Sequence, residues 1–110
     1  MDHRLRKNNE FGYIYKKGEK FYTDNFVLFV VKSKYQNYKI GFSISKKLGK
    51  ANKRNLLKRR MREITRLYIT IPSFCNYVVL AKDNAMSLSF EELKTEIIKL
   101  FEKYEKKKQS

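Results

Sequence analysis

Tryptophan is absent from these 110 residues, proline, cysteine and histidine occur once each, and glycine only four times. Each scarcity removes a class of explanation. A lone Cys75 closes no internal disulfide, so the chain is not a stapled secreted domain, and within the apolar "SFCNYVVLA" it reads as a small hydrophobe. A single proline, Pro72, and no Gly/Ser-rich stretch leave no linker, so residues 1–110 read as one domain. A chain of this length buries roughly two-thirds of its unfolded surface. No apolar run approaches the ~20 residues that span a bilayer, and "MDHRLRKNNEF" carries no signal-type apolar segment, which points to the cytoplasm. The one histidine, His3, reads as an exposed residue near the chain start, and Asp83 in "AKDNA" as an isolated turn residue. Phosphodiester hydrolysis needs a carboxylate cluster for metals or a His pair for proton transfer. Neither is present, so no catalytic side chain and no protein-held metal are expected.

The absence that says most is of negative charge. Between Asp24 and Glu63 there is no acidic residue, while twelve Lys or Arg occur there. The net charge is +15 and the pI about 10.0, far beyond what solubility requires, and such self-repulsion is relieved by a polyanionic partner, nucleic acid above all. An anionic membrane would need bulky apolar residues beside the charges. The apolar fraction of 42% and sixteen Phe and Tyr residues indicate a packed domain rather than a disordered basic tail.

Periodicity places the elements. "NNEFGYIYKK" puts Phe11, Ile14 and Tyr15 on one helical face, with Asn8 or Asn9 as N-cap and Gly18 as the stop; Gly12 weakens it. "KFYTDNFVLFVV" reads as strand in two pieces hinged near Asp24 and Asn25. "KIGFSIS" alternates, with Ile40, Phe42 and Ile44 on a buried face and Gly41, Ser43 and Ser45 on a thinly covered one. A long helix follows, then a strand over "NYVVLA" (76–81). The last helix opens on a capping box of Ser89 and Glu92, has Leu88 and Leu93 at staple positions, and carries the stripe Leu93, Ile97, Leu100, Phe101 and Tyr104. Lysines there alternate with acids and largely cancel them, so the partner surface belongs to the middle of the chain.

That middle contains "KANKRNLLKRRMREITR" (50–66), eight Lys or Arg against Glu63 alone. At 100° per residue, Leu57, Met61, Ile64 and Tyr68 form a core-facing stripe, while Asn55, Lys58, Arg59, Arg62 and Arg66 share the opposite arc. A localisation signal has no reason to carry such a stripe. A merely solvated face would mix Glu with Lys, because like charges at i,i+4 repel by a few tenths of a kcal/mol. Here the repulsion awaits an external anion. Asn55 adds hydrogen bonding without attraction, as a group that reads geometry would.

With these residues in place, "SISKKLGKANKRNLLKRRMRE" (43–63) resembles the signature of the protein components of bacterial ribonuclease P: a Ser-x-Ser-Lys-Lys strand end, a Gly-x-Ala turn, then Arg-Asn followed by Lys-Arg and a further Arg. "RLRKNNEFGYIYKKG", "FVLFVV" and "YVVLAKDNA" are similar to the family's first helix, central strand and late strand with its loop. The resemblance implies an α+β domain, α-β-β-β-α-β-α around a small sheet, with a left-handed βαβ crossover of ribosomal-protein type where handedness rules alone would favour the right-handed connection. It implies a subunit of a ribonucleoprotein endoribonuclease that removes the 5′ leader of precursor tRNA, with the RNA performing the chemistry and holding most of the Mg²⁺, and with no obligate protein partner. Matched residue by residue, Arg54, Asn55, Lys58, Arg59 and Arg62, with Lys46 and Lys47, are expected to meet the catalytic RNA. Phe11, Tyr15 and Phe29 match the aromatic positions of a leader cleft; read alone they would be core residues. Stacking on bases of any identity suits a leader of variable sequence. The chain departs from the signature at Lys50, Asn52 and Leu56, the last standing where the family carries Arg; Arg60, one turn on, is expected to supply that charge. A general RNA-binding or ribosomal-type accessory domain without tRNA processing is the alternative, and a metal-dependent protein nuclease a more distant one.

Overall fold

The structure is a computed structural model that describes residues 3–109. Helix α1 (Asn8–Lys17) is followed by strands β1 (Glu19–Tyr22), β2 (Phe26–Lys32) and β3 (Lys39–Ile44), helix α2 (Ala51–Tyr68), strand β4 (Cys75–Ala81) and helix α3 (Phe90–Gln109). This is the expected α-β-β-β-α-β-α order of an α+β fold. The strands lie in the order β1-β2-β4-β3, antiparallel at the first two junctions and parallel between β3 and β4, which α2 connects. Among the described residues no helix is long and apolar enough to cross a membrane.

Helices cover both faces of the sheet, which is why β2 reads as a continuous apolar run rather than an alternating one. Its Phe26, Leu28 and Val30 join Ile40, Phe42, Ile44, Tyr77 and Val79 in a core closed by Leu57, Met61 and Ile64 of α2 and by the whole predicted stripe of α3. Its Val27 and Phe29 join Val78 in a second core closed by Ile14 of α1 and by Leu5. Cys75 is buried as expected, 3.3 Å from the Tyr104 hydroxyl. Burial pushes the Tyr77 and Tyr104 hydroxyls above the ordinary tyrosine range, and Tyr77 donates to the Pro72 carbonyl at 2.7 Å.

Three local expectations are corrected. The N-cap of α1 is Lys7, without a side-chain cap, so Asn8 and Asn9 lie inside the helix. Tyr68 is exposed rather than core, covered by the Lys94 ammonium 4.2 Å from its ring centroid; the stripe closes instead on Thr65, whose hydroxyl donates to the Arg62 carbonyl. His3 is not a frayed exposed residue. Its imidazole stacks on Tyr38 at 3.9 Å and 5°, and its carbonyl accepts from Ile40 N–H, so residues 3–5 pair along the free edge of β3. Gly18 ends α1 without a left-handed backbone. Its need is space, since a Cβ would stand 2.6 Å from the Ile14 carbonyl oxygen.

The α3 capping box is formed. Ser89 Oγ accepts from Glu92 N–H at 3.2 Å, and Glu92 Oε1 accepts from Ser89 N–H at 2.9 Å. Those hydrogen bonds hold the Glu92 carboxyl below the usual carboxylate range. A lowered folded value means a stabilising contribution that is present above the unfolded pKa and lost as pH falls through the folded one. Ser89→Ala is expected to cost about 1 kcal/mol at neutral pH. Thermal melts should show that gap at neutral pH, and both proteins should lose stability in acid as Glu92 is protonated, because the Ser89 N–H that its carboxylate accepts from survives the substitution.

Candidate nucleic-acid interface

Helix α2 is built to be short of anions. Its N-cap is Lys50, with no side-chain cap, and its first turn holds no acidic residue although the helix dipole favours one there. Asn55, Arg59 and Arg62 are exposed and Lys58 half-buried, on the side opposite the buried Leu57, Met61 and Ile64. The Arg62 guanidinium lies 5.9 Å from the Phe42 ring centroid, a cation–π placement beside β3. Arg54 differs. Its Nε donates to the Gly49 carbonyl at 3.1 Å, clamping the turn that enters the helix. Gly49 sits at φ 152°, a conformation costly for other residues.

Lys46 and Lys47 stand in a short 3₁₀ turn (Lys46–Leu48) between β3 and α2, capped by Ser45, whose hydroxyl accepts from Lys47 N–H at 3.2 Å. Lys46 does not stay with the outer face of α2. It lines a groove of about 570 Å³ beside α1, together with Phe11, Tyr15, Ser43 and Lys58. The thinly covered face of β3 is therefore partly roofed. Phe11 rests on Gly41, where a Cβ would come within 2.4 Å of the ring, and Ser43 is left half-exposed on the groove floor.

The three aromatic residues do different things. Phe11 and Tyr15 are half-buried, with ring centroids 6.4 Å apart, and both border the groove. Phe29 is only 7% exposed, lies outside the groove lining, and meets Tyr15 edge-on at 5.0 Å. It backs the Tyr15 ring rather than facing a ligand. Lys20 stands across the β1–β2 ladder from Phe29, its ammonium 5.9 Å from that ring. The hairpin pairing of "EKFY" with "FVLFVVK" was the available signal for it. The His3–Tyr38 stack, beside Arg62 and Arg66 at the β3 edge, gave no signal in the sequence because it depends on long-range pairing.

Gly41→Ala is expected to displace the Phe11 ring from its seat while leaving the outer face of α2 intact. RNA held by α2 should bind as before, and RNA held in the groove more weakly. Filter binding with two RNAs, one carrying and one lacking a single-stranded 5′ extension, checks this.

Comparison with known proteins agrees with the geometry. The family model described as Ribonuclease P matches residues 1–105. The ribonuclease P protein component of Finegoldia magna is 38% identical over 106 residues, covering 96% of this chain and 93% of that one. That of Bacillus cereus is 37% identical over 103 residues, covering 92% and 90%. The Staphylococcus aureus RNase P protein superposes with a TM-score of 0.85 at 28% identity, over 93% of this chain and 94% of that one. Similarity of this extent covers the helices, the sheet and the groove as well as the basic helix: the chain belongs to the family of ribonuclease P protein components.

Proposed function

We propose that the chain is the protein subunit of a ribonuclease P ribonucleoprotein, which assists removal of the 5′ leader of precursor tRNA in the cytoplasm while the RNA subunit carries the chemistry. The observation that carries this reading is the position of Lys58. It belongs both to the cationic side of α2 and to the lining of the groove with Phe11 and Tyr15. Two nucleic-acid segments can thus be held side by side, one on α2 and one against α1.

In this reading Asn55, Arg59 and Arg62 bind phosphates of the catalytic RNA, and Arg54 shapes the turn from which they project. The uncapped, acid-free start of α2 gains most from a phosphate placed there. Lys46 and Lys58 attract the leader backbone, and Phe11 and Tyr15 stack its bases without selecting among them. Fixing the leader beside the RNA-bound helix positions the scissile bond against the RNA, a gain in proximity rather than in protein acid–base chemistry. Among the described residues no three His, Cys, Asp or Glu side chains gather where they could hold a metal ion. In this reading the RNA holds most of the Mg²⁺ of the holoenzyme.

The test is reconstitution. Purified chain, precursor tRNA and a bacterial ribonuclease P RNA are combined at low Mg²⁺, alone and together. Accurate 5′ processing that needs both chain and RNA is expected; cleavage by the chain alone would overturn the assignment of chemistry to RNA. Binding of precursor and mature tRNA with equal affinity by the holoenzyme would favour a general RNA-binding accessory.

A further inference from the structure

Leu56 is an exposed apolar residue in the most basic part of α2. It is 37% exposed, with Lys53 and Arg60 one helical turn to either side of it. Around the helix it lies about 160° from Lys58, so it faces away from the leader groove. It opens instead onto a second groove, of about 510 Å³, between the start of α2 and the segment leading into α3. Leu56, Met86 and Leu88 give this groove an apolar lining, and Lys50, Lys53 and Arg60 add cations; none of its lining residues is acidic. The volume is within the range of sites that enclose nucleoside-sized groups.

An apolar seat beside three cations is poorly matched to a paired RNA helix, which offers phosphates but keeps its base faces stacked internally. It is equally poorly matched to a neutral apolar peptide, which would leave the cations unused. A group with a flat apolar face and a flanking negative backbone satisfies both parts, and an unpaired nucleotide is such a group. We propose that this groove holds one unpaired nucleotide of the RNA subunit, its base against Leu56 and Met86 and its flanking phosphates near Lys50, Lys53 and Arg60. The proposal rests on the reading of α2 as the RNA-binding helix and adds a second contact, part apolar and part ionic, on its other flank. Arg60 lies in the same groove, so it supplies the cation while Leu56 supplies the surface.

Charge contacts and apolar contacts separate by their salt dependence. Affinity for a bacterial ribonuclease P RNA transcript is to be measured across a salt series. The double variant Leu56→Ser, Met86→Ala is expected to bind about tenfold more weakly at every salt concentration, the scale of about two buried methylene groups, with the slope of log affinity against log salt unchanged. Arg60→Gln should instead flatten the slope by about one phosphate contact. Because Leu56 is partly exposed, Leu56→Arg gives a variant with little folding risk. It should weaken binding at high salt, where the added charge is screened. Tighter binding of Leu56→Arg at all salt concentrations would show that the position wants a cation and would overturn the proposal, as would unchanged affinity of the double variant. A photo-crosslinker placed at Leu56 in the holoenzyme should react with a nucleotide unpaired in the RNA; reaction only with paired stretches would also overturn it. Binding of an acidic amphipathic peptide that Leu56→Arg abolishes, with RNA affinity unaffected, would reassign the groove to a protein and overturn the proposal. If neutralising Lys58, Arg59 and Arg62 leaves RNA affinity intact, the reading of α2 fails; if that neutralisation weakens binding and the Leu56 and Met86 variants do not, the nucleotide seat alone fails.

Discussion

Replacing Lys58, Arg59 and Arg62 together with Gln is expected to lower affinity for ribonuclease P RNA by on the order of a hundredfold at moderate salt, and to reduce the slope of log affinity against log salt by about two to three. Each residue that neutralises one phosphate contributes ~0.7 to 0.9 to that slope through released counterions. All three project from the side of α2 opposite its buried stripe, so their loss removes charge without removing core. Relief of like-charge repulsion along the helix should leave the free protein as stable as before or slightly more so, by a few tenths of a kcal/mol per pair. Weaker binding is then not a folding defect. Arg54→Gln makes the contrast. Its Nε–Gly49 bond clamps the turn, so it should affect helix entry and melting temperature as well as binding. Titration by filter binding across a salt series, with melts of the free proteins alongside, reads both. An unchanged slope in the triple variant would place the RNA elsewhere.

The elements and the direction of the charge were legible because they depend on local period. The alternation of Ile40, Phe42 and Ile44, the stripe of α3 and the Ser89–Glu92 box all need only neighbours within one or two turns or pleats, and all are found as expected. What was not legible depends on where distant segments meet. Phe11, Tyr15 and Phe29 look alike in sequence, and only the seating of α1 across β2 and β4 makes Phe11 and Tyr15 line a groove while Phe29 backs them. Tyr68 fits the helical arc of the core stripe, yet it is the last residue of α2, stays exposed and meets Lys94 of α3 instead. His3 is 35 residues from Tyr38, whose carbonyl its Nδ1 meets at 2.8 Å, and no local pattern announces the single bridge that Arg4 makes to Ile40 at the sheet edge. Lys46 matched the RNA-subunit set by motif, and its place beside Phe11 follows from the 3₁₀ turn that Ser45 caps.

Tyr15→Ala should weaken binding of precursor tRNA to the holoenzyme by ~1 to 3 kcal/mol, the value of one base stacked on an aromatic ring, and leave mature tRNA binding unchanged. Phe11→Ala should give a similar loss with a stability cost added, because the ring also covers Gly41 and its removal opens space over β3. Phe29 separates the two roles. Phe29→Ala empties a nearly buried site, and at ~3 to 5 kcal/mol its cost is one of folding. Phe29→Leu keeps most of the volume but removes the edge-on aromatic contact that orients Tyr15. If Phe29 acts through Tyr15, the Leu variant should fold and yet lose part of the preference for precursor, and combining it with Tyr15→Ala should add nothing further to that loss. The quantity to measure is the ratio of precursor to mature tRNA affinity in each reconstituted holoenzyme. A double variant whose ratio falls by the sum of the two single losses would mean that Phe29 meets the leader itself. Equal weakening of precursor and mature tRNA by Tyr15→Ala would move the leader out of this groove altogether.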